Sequence, residues 1–86
     1  MPRIGYTPAF LRAFNKLPSS LQEEVEKRVA LFEKNPQDPL LRVHKLKGRL
    51  RDRWSFSVNY QYRIIFIHEN TSTAILLAVG DHAVYE

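Results

Sequence analysis

The sequence predicts an α+β fold in which an N-terminal strand and an antiparallel two-helix hairpin pack on an antiparallel β-sheet. Apolar residues recur at helical spacing in the first half of the chain, and they alternate with polar residues at strand spacing in the second half. The length of 86 residues suits one small domain. We therefore expect residues 1–86 to form a single domain.

The first half is predicted to form a short strand and two helices. Thr7 followed by Pro8 is the pattern of an N-cap with proline at the first helical position, and Pro18 ends this first helix. Ser20 and Glu23 match a capping box, which predicts the start of a second, amphipathic helix of about four turns. Only two or three residues join the helices, so they should form a hairpin.

The second half is predicted to form the sheet. From Trp54 to Phe66 every even position is apolar or aromatic, whereas the odd positions from 55 to 63 are polar, as in half-buried strands. This stretch is long for one strand, so we expect a hairpin turn at 59–61. A second turn at 69–72 leads into an apolar strand, and residues 45–50 are expected to begin the sheet.

The basic residues are concentrated in one segment. The chain has 13 Lys and Arg residues against 9 Asp and Glu, a net charge of +4. Residues 42–53 hold six of the basic residues and one acidic residue, Asp52, so the basic excess of the whole chain lies there. Such a patch favours a polyanion, with nucleic acid as the first candidate. A solvated basic strand, or a docking patch for an acidic protein, is the alternative.

Several other classes of protein are not expected. Cysteine is absent, which excludes disulfides and thiolate chemistry. His44, His68 and His82 are too scattered to suggest a metal site, and the glycines form no nucleotide-binding pattern, so we expect no cofactor. The longest apolar run, 64–67, is too short to span a membrane, and no secretion signal is visible, so we expect a cytoplasmic protein.

One combination of residues suits metal-free cleavage of RNA through its own 2′-hydroxyl. That reaction needs a base, an acid and positive charge near the phosphate. His82 is the candidate acid–base group, Arg63 the candidate catalytic cation, and Tyr85 the candidate for orienting the phosphate or stacking on a base. The candidate phosphate-binding residues are His44, Lys45, Lys47, Arg49, Arg51 and Arg53. For each of these residues, a plain structural role in an edge strand, a turn or an ion pair is the alternative.

The second half of the chain also resembles a known family, the RelE/ParE superfamily of bacterial type II toxins. The similarity is greatest to the RelE and YafQ-like mRNA interferases, and it extends in order and length over essentially the whole chain. The motifs that carry it are Leu46-Lys47-Gly48, the W-S-x-S-V strand at 54–58, Tyr62-Arg63-Ile64-Ile65-Phe66 and the V-G-D-H-x-x-Y sequence at 79–85.

The resemblance implies a RelE-like fold and a ribosome-dependent mRNA endoribonuclease that needs no metal. It also implies that a cognate antitoxin neutralises the protein, with the ribosome and mRNA as further partners. The family's terminal acid corresponds to His82, its C-terminal aromatic residue to Tyr85 and its central-strand arginine to Arg63. Its basic residues before the sheet correspond to Lys45 and Lys47. The histidine of YafQ-like members falls near His44.

The sequence departs from the family at two positions. Ser57 stands where relatives often carry Arg or His, and Gln61 stands where YafQ-like members carry an acidic residue. The spacing from His82 to Tyr85 is also one residue shorter than the resemblance would require. Two other functions therefore stay open. One is a ParE-like inhibitor of DNA gyrase, and the other is a catalytically weak module that binds nucleic acid.

Overall fold

Two helices and a five-stranded sheet make up the part of the chain that the structure, a computed structural model, describes, which is residues 2–81. The α+β class is confirmed. In chain order the elements are β1 (Arg3–Tyr6), α1 (Pro8–Asn15), α2 (Ser19–Lys34), β2 (His44–Lys45), β3 (Trp54–Ser57), β4 (Arg63–Asn70) and β5 (Thr73–Gly80). Single 3-10 turns lie at Pro39–Leu41 and Gly48–Leu50.

The sheet has the strand order β1-β5-β4-β3-β2. The pairs β2–β3, β3–β4 and β4–β5 are all antiparallel, as predicted. β1 differs because it pairs in parallel with β5, placing Ile4 beside Ala74, so the sheet as a whole is mixed. The alternation of residues within β1 indicates which side chains face the core. It does not indicate whether β1 runs parallel or antiparallel to β5, a strand distant in sequence.

Helix α1 begins where the sequence predicts. The Thr7 hydroxyl accepts a hydrogen bond from the backbone N–H of Phe10 at 3.1 Å, and Pro8 occupies the first turn. The same hydroxyl donates to the carbonyl oxygen of Leu76 at 3.0 Å. The cap therefore also ties the start of α1 to β5.

Helix α2 does not begin with the predicted capping box. It starts at Ser19 with Pro18 as the N-cap, and no side chain caps it. Ser20 already lies inside the first turn, because the N–H groups of Leu21 and Gln22 donate to the Pro18 carbonyl oxygen at 3.0 and 2.9 Å. The Gln22 side-chain amide donates across the hairpin to the carbonyl oxygen of Phe14 at 2.9 Å. Neither helix within residues 2–81 has a stretch long and apolar enough to cross a bilayer.

The hydrophobic core lies between the helices and one face of the sheet. Phe32 of α2 stacks on Phe56 of β3 with ring centroids 4.6 Å apart, and it meets Phe66 of β4 edge-on at 4.9 Å. These rings fix α2 against the centre of the sheet. The buried stripe of α2 is formed by the residues that its helical spacing predicts, Leu21, Val25, Val29 and Phe32.

The expected strand at 45–50 is wrong for most of its length. Only the first residue of that range belongs to β2, and the chain then turns through the 3-10 segment Gly48–Leu50. Gly48 has φ +69, a left-handed value that interrupts an extended strand and favours glycine. The N–H of Leu46 donates to the Arg53 carbonyl oxygen at 2.9 Å and closes the turn. Residues 46–53 are therefore a loop, called here the basic loop.

Candidate nucleic-acid interface

The sheet face opposite the helices carries a row of polar side chains near the β3–β4 turn. Strand pairing places His44 opposite Ser55, and Ser57 opposite Arg63. Side chains alternate between faces, and Phe56 faces the core, so these four residues share the other side of the sheet. We call His44, Ser55, Ser57 and Arg63 the polar face.

The centre of the polar face is a hydrogen bond between two strands. Nη1 of Arg63 donates to the hydroxyl of Ser57 at 2.6 Å. Ser57 ends β3 and Arg63 begins β4, so the turn between them sets their opposition. Ser57 is only 5% exposed, and Arg63 is half-buried. A guanidinium held in this way keeps further N–H donors with which it can bind a phosphate.

The turn that presents this pair is well defined by hydrogen bonds. The N–H of Val58 donates to the Tyr62 carbonyl oxygen at 2.9 Å. The Asn59 side-chain oxygen accepts from the N–H groups of Gln61 and Tyr62, each at 2.8 Å. The hairpin turn predicted at 59–61 is confirmed, and Asn59 is the residue that holds it.

His44 contributes a titratable group to the polar face. Its side chain is exposed, and Nδ1 lies 3.0 Å from the carbonyl oxygen of Arg42. A carbonyl oxygen only accepts, so Nδ1 carries the proton and donates. In the neutral ring this leaves Nε2 as an acceptor, which is the form that a general base requires.

Lys45 lies on the other side of the sheet. It pairs with Trp54, whose ring stacks with Phe66 on the helix side. By alternation Lys45 therefore shares that side and is separated from Arg63 by the thickness of the sheet. The structure does not bring Lys45 together with the polar face.

The remaining basic candidates lie in the basic loop, and all of them are exposed. They are Lys47, Arg49, Arg51 and Arg53. The loop joins the Trp54 end of β3, whereas Arg63 lies opposite the Ser57 end. The length of β3, about 10 Å at the usual rise per residue, separates the two. The positive charge is therefore spread along the sheet, with Arg63 at one end and the basic loop at the other.

The last two candidates, His82 and Tyr85, lie outside the described residues. What the structure does describe is the end of β5, where Gly80 is directly opposite Arg63. The described chain continues through Asp81, which immediately precedes His82 in the sequence. Three strands therefore contribute adjacent backbone positions in the row Ser57, Arg63 and Gly80.

Sequence reasoning did not identify Ser57 as the partner of Arg63. The signal was present, because positions 57 and 63 are equally distant from the centre of the predicted turn and share one phase of the alternation. Residues in that relation face each other across a hairpin. The prediction treated Ser57 only as a residue that cannot replace a cation.

Comparison with known proteins identifies the fold. No family model and no curated protein sequence matches the chain. Among solved structures, YafQ from E. coli superposes with a TM-score of 0.79 at 13% identity, covering 99% of this chain and 98% of YafQ. A copper-bound mutant toxin from Helicobacter pylori gives 0.74 at 20% identity with both chains fully covered, 100% each.

A third solved structure, a YoeB/ParE toxin from Agrobacterium tumefaciens, gives a TM-score of 0.75 at 13% identity and covers 93% of this chain and 98% of that toxin. All three similarities extend over nearly the full length of both partners. The arrangement of two helices on a mixed five-stranded sheet is therefore a RelE-like fold, the fold that this chain shares with these three toxin structures.

Proposed function

We propose that the protein is the toxin of a type II toxin–antitoxin system and that it cleaves mRNA on the ribosome without a metal ion. The observation that carries the proposal is the row formed by Ser57, Arg63 and Gly80. It places a fixed guanidinium beside the strand end from which the chain continues toward His82. The full-length similarity to toxin structures supports the same conclusion.

Arg63 is proposed to stabilise the transition state. Attack of the 2′-oxygen on phosphorus adds negative charge to the phosphate oxygens. A guanidinium that is already held by Ser57 at 2.6 Å needs little reorganisation to meet that charge. The exposed side chains of the basic loop would attract the RNA backbone over a longer range, in a manner that salt weakens.

Two histidines are available for the proton transfers. One group removes the proton from the 2′-hydroxyl as the new P–O bond forms. A second protonates the departing 5′-oxygen as the old P–O bond breaks, which leaves a cyclic phosphate and a 5′-hydroxyl. We assign the acid role to His82, and His44, with Nε2 as the acceptor, is the described residue suited to the base role. Tyr85 is proposed to stack on a base or orient the phosphate.

A protein antitoxin is the proposed regulator. The YoeB–YefM complex from Staphylococcus aureus shows a similar fold bound to a partner, with a TM-score of 0.73 at 13% identity and 95% of this chain covered. The exposed cations of the basic loop would suit an acidic antitoxin segment that folds on binding.

The test is primer extension on ribosome-bound mRNA after expression of the wild type and of single variants. We expect Arg63→Ala to lower cleavage by at least about a hundredfold, as removal of a donor to a developing oxyanion does. His82→Ala should remove it as well. Lys27→Ala, which deletes an exposed cation from α2, is the matched control and should cleave like the wild type.

Intact mRNA in cells that nevertheless stop growing would contradict the nuclease proposal. In that case a ParE-like inhibition of DNA gyrase becomes the better explanation, which the similarity to a YoeB/ParE toxin also accommodates. The distinguishing results are loss of DNA supercoiling and toxicity that His82→Ala leaves unchanged.

A further inference from the structure

A cleft of about 270 Å³ opens beside the polar face, next to the β3–β4 turn. It is lined by Arg28, Pro39, Leu40, Arg42, Ser57, Asn59 and Tyr60. Ser57 belongs both to this lining and to the contact with Arg63. The described residues that line the cleft include two arginines and no carboxylate, so its chemistry favours an anion.

Arg28 is held in place at this cleft by backbone oxygens. It is half-buried on α2, and its Nη1 donates to the carbonyl oxygen of Leu40 at 2.9 Å, with a longer contact of 3.5 Å to the carbonyl oxygen of Ser57. The Ser57 hydroxyl meanwhile accepts from Arg63. Two guanidinium groups are thus fixed on either side of one residue.

Arg42 supplies the second guanidinium of the cleft from an unusual backbone conformation. Its φ of 49 and ψ of 46 lie in the left-handed region, which disfavours side chains other than glycine and asparagine. Its N–H donates to the Pro39 carbonyl oxygen at 3.2 Å, and its own carbonyl oxygen accepts from His44. Strained residues of this kind concentrate at functional sites.

Tyr60 is an exposed aromatic ring on an ordered turn. It is 90% exposed, the most exposed of the large hydrophobic residues described. Asn59 fixes the turn beneath it, because its side-chain oxygen accepts from two backbone N–H groups and its Nδ2 donates to Glu24 at 3.0 Å. An exposed ring on a rigid support, beside arginines, is suited to stacking with a nucleobase.

We propose that this cleft binds the nucleotide adjoining the cleaved phosphodiester in single-stranded RNA. The base stacks on Tyr60, and Arg28 and Arg42 contact its phosphate. The inference rests on the proposed nuclease function and extends it, because Ser57 both borders the cleft and accepts a hydrogen bond from Arg63. An acidic protein segment would engage the arginines, but it would make no comparable use of an exposed aromatic ring on an ordered turn next to a phosphate-binding residue.

The experiment measures the affinity for a 2′-O-methylated single-stranded RNA, which cannot be cleaved, together with KM and kcat for the cleavage of ribosome-bound mRNA. We expect Tyr60→Ala to weaken binding about tenfold and to raise KM with little change in kcat, whereas Tyr60→Phe keeps the ring and binds like the wild type. Arg42→Gly suits the left-handed backbone and removes only the side chain. It should weaken binding and reduce the slope of affinity against salt by about 0.7.

Lys34→Ala is the control for Arg42→Gly, because it removes one exposed positive charge from the last turn of α2, and Lys34 does not line the cleft. It should leave both affinity and slope unchanged. The proposal is overturned if Tyr60→Ala and Arg42→Gly bind the RNA as the wild type does, or if they weaken only the binding of an antitoxin. If the wild type cleaves no ribosome-bound mRNA, the proposed function fails, but the affinities for the 2′-O-methylated RNA still decide the role of the cleft.

Discussion

Two surface tyrosines lie in clefts of opposite charge. Tyr6 is 48% exposed and borders a groove of about 360 Å³ between the helices, with Glu26 and Glu33 on its rim. Tyr60 borders the smaller cleft, where Arg28 and Arg42 take the place of the carboxylates.

Helix α2 supplies charge to both clefts. Positions 26 and 33 are seven residues apart and share one side of the helix, whereas position 28 points to a different side. One helix therefore repels a polyanion from the groove beside Tyr6 and attracts it to the cleft beside Tyr60. The tyrosine ring alone does not decide the partner, because its charged neighbours do.

The difference in charge between the two clefts depends first on the packing of α2 against the sheet. Phe32→Ala removes the ring that stacks on Phe56 at 4.6 Å and on which α2 rests. We expect the free energy of unfolding to fall by about 3–5 kcal/mol, because a large cavity opens in a thin core. Denaturant unfolding measures this, with the exposed Tyr60→Ala as the control, expected within about 0.5 kcal/mol of the wild type. Similar losses in both variants would mean that Phe32 does not anchor the helix.

A smaller effect, on the rate of cleavage, is expected from a change at Ser57, which contacts both Arg28 and Arg63. Ser57→Ala removes the hydroxyl that orients Arg63, and we expect cleavage to fall about tenfold, as for the loss of one hydrogen bond to a charged group. Because Ser57 acts through Arg63, the double variant Ser57→Ala/Arg63→Ala should be no worse than Arg63→Ala alone. The rates of all four proteins of this cycle are compared. Fully additive losses would show that the serine acts independently of the arginine.

The smallest effect is expected on the pH dependence of stability, and it concerns the acidic groove beside Tyr6. Burial raises the pKa of the Tyr6 hydroxyl above its usual 10.0, and the carboxylates of Glu33 and then Glu26 add to the rise. The folded protein thus favours the neutral phenol. The associated stability is fully present below pH 10.0 and is lost as the pH rises through the higher pKa of the folded state.

Tyr6→Phe should therefore lose less stability than the wild type across this alkaline range, and Glu33→Gln should lie between the two. Denaturant unfolding on either side of pH 10.0 compares the three proteins. Identical pH dependence in the wild type and Tyr6→Phe would show that the acidic groove does not act on this hydroxyl.

Local signals in the sequence predicted the parts of the fold that depend on neighbouring residues. Thr7 and Pro8 predict the start of α1 because an N-cap and a proline act within one helical turn. The turn at 59–61 was predictable because the alternating stretch is too long for one strand, and the chain there passes from β3 to β4. The capping box failed because Pro18 supplies an earlier start, which leaves Ser20 inside the helix.

The site was less predictable because it combines elements from distant parts of the chain. The strand alternation could have predicted that Ser57 lies opposite Arg63, because the two residues flank the same turn. The placement of Lys45 opposite Trp54 depends on the register of β2 against β3. A strand of only two residues is too short for its sequence pattern to predict that register. Arg28 could not be assigned at all, since its helical position gives no indication that it reaches the carbonyl oxygens of Leu40 and Ser57.

The parallel pairing of β1 with β5 has a consequence for how the protein is made. Arg3 pairs with Thr73, a residue far along the chain, so β1 has no partner strand until β5 has been synthesised. A chain released early would lack β5, the strand that lies between β1 and β4 and pairs with β4 at Arg63. The complete sheet, and with it the position of Gly80 opposite Arg63, can therefore form only after β5 has been synthesised.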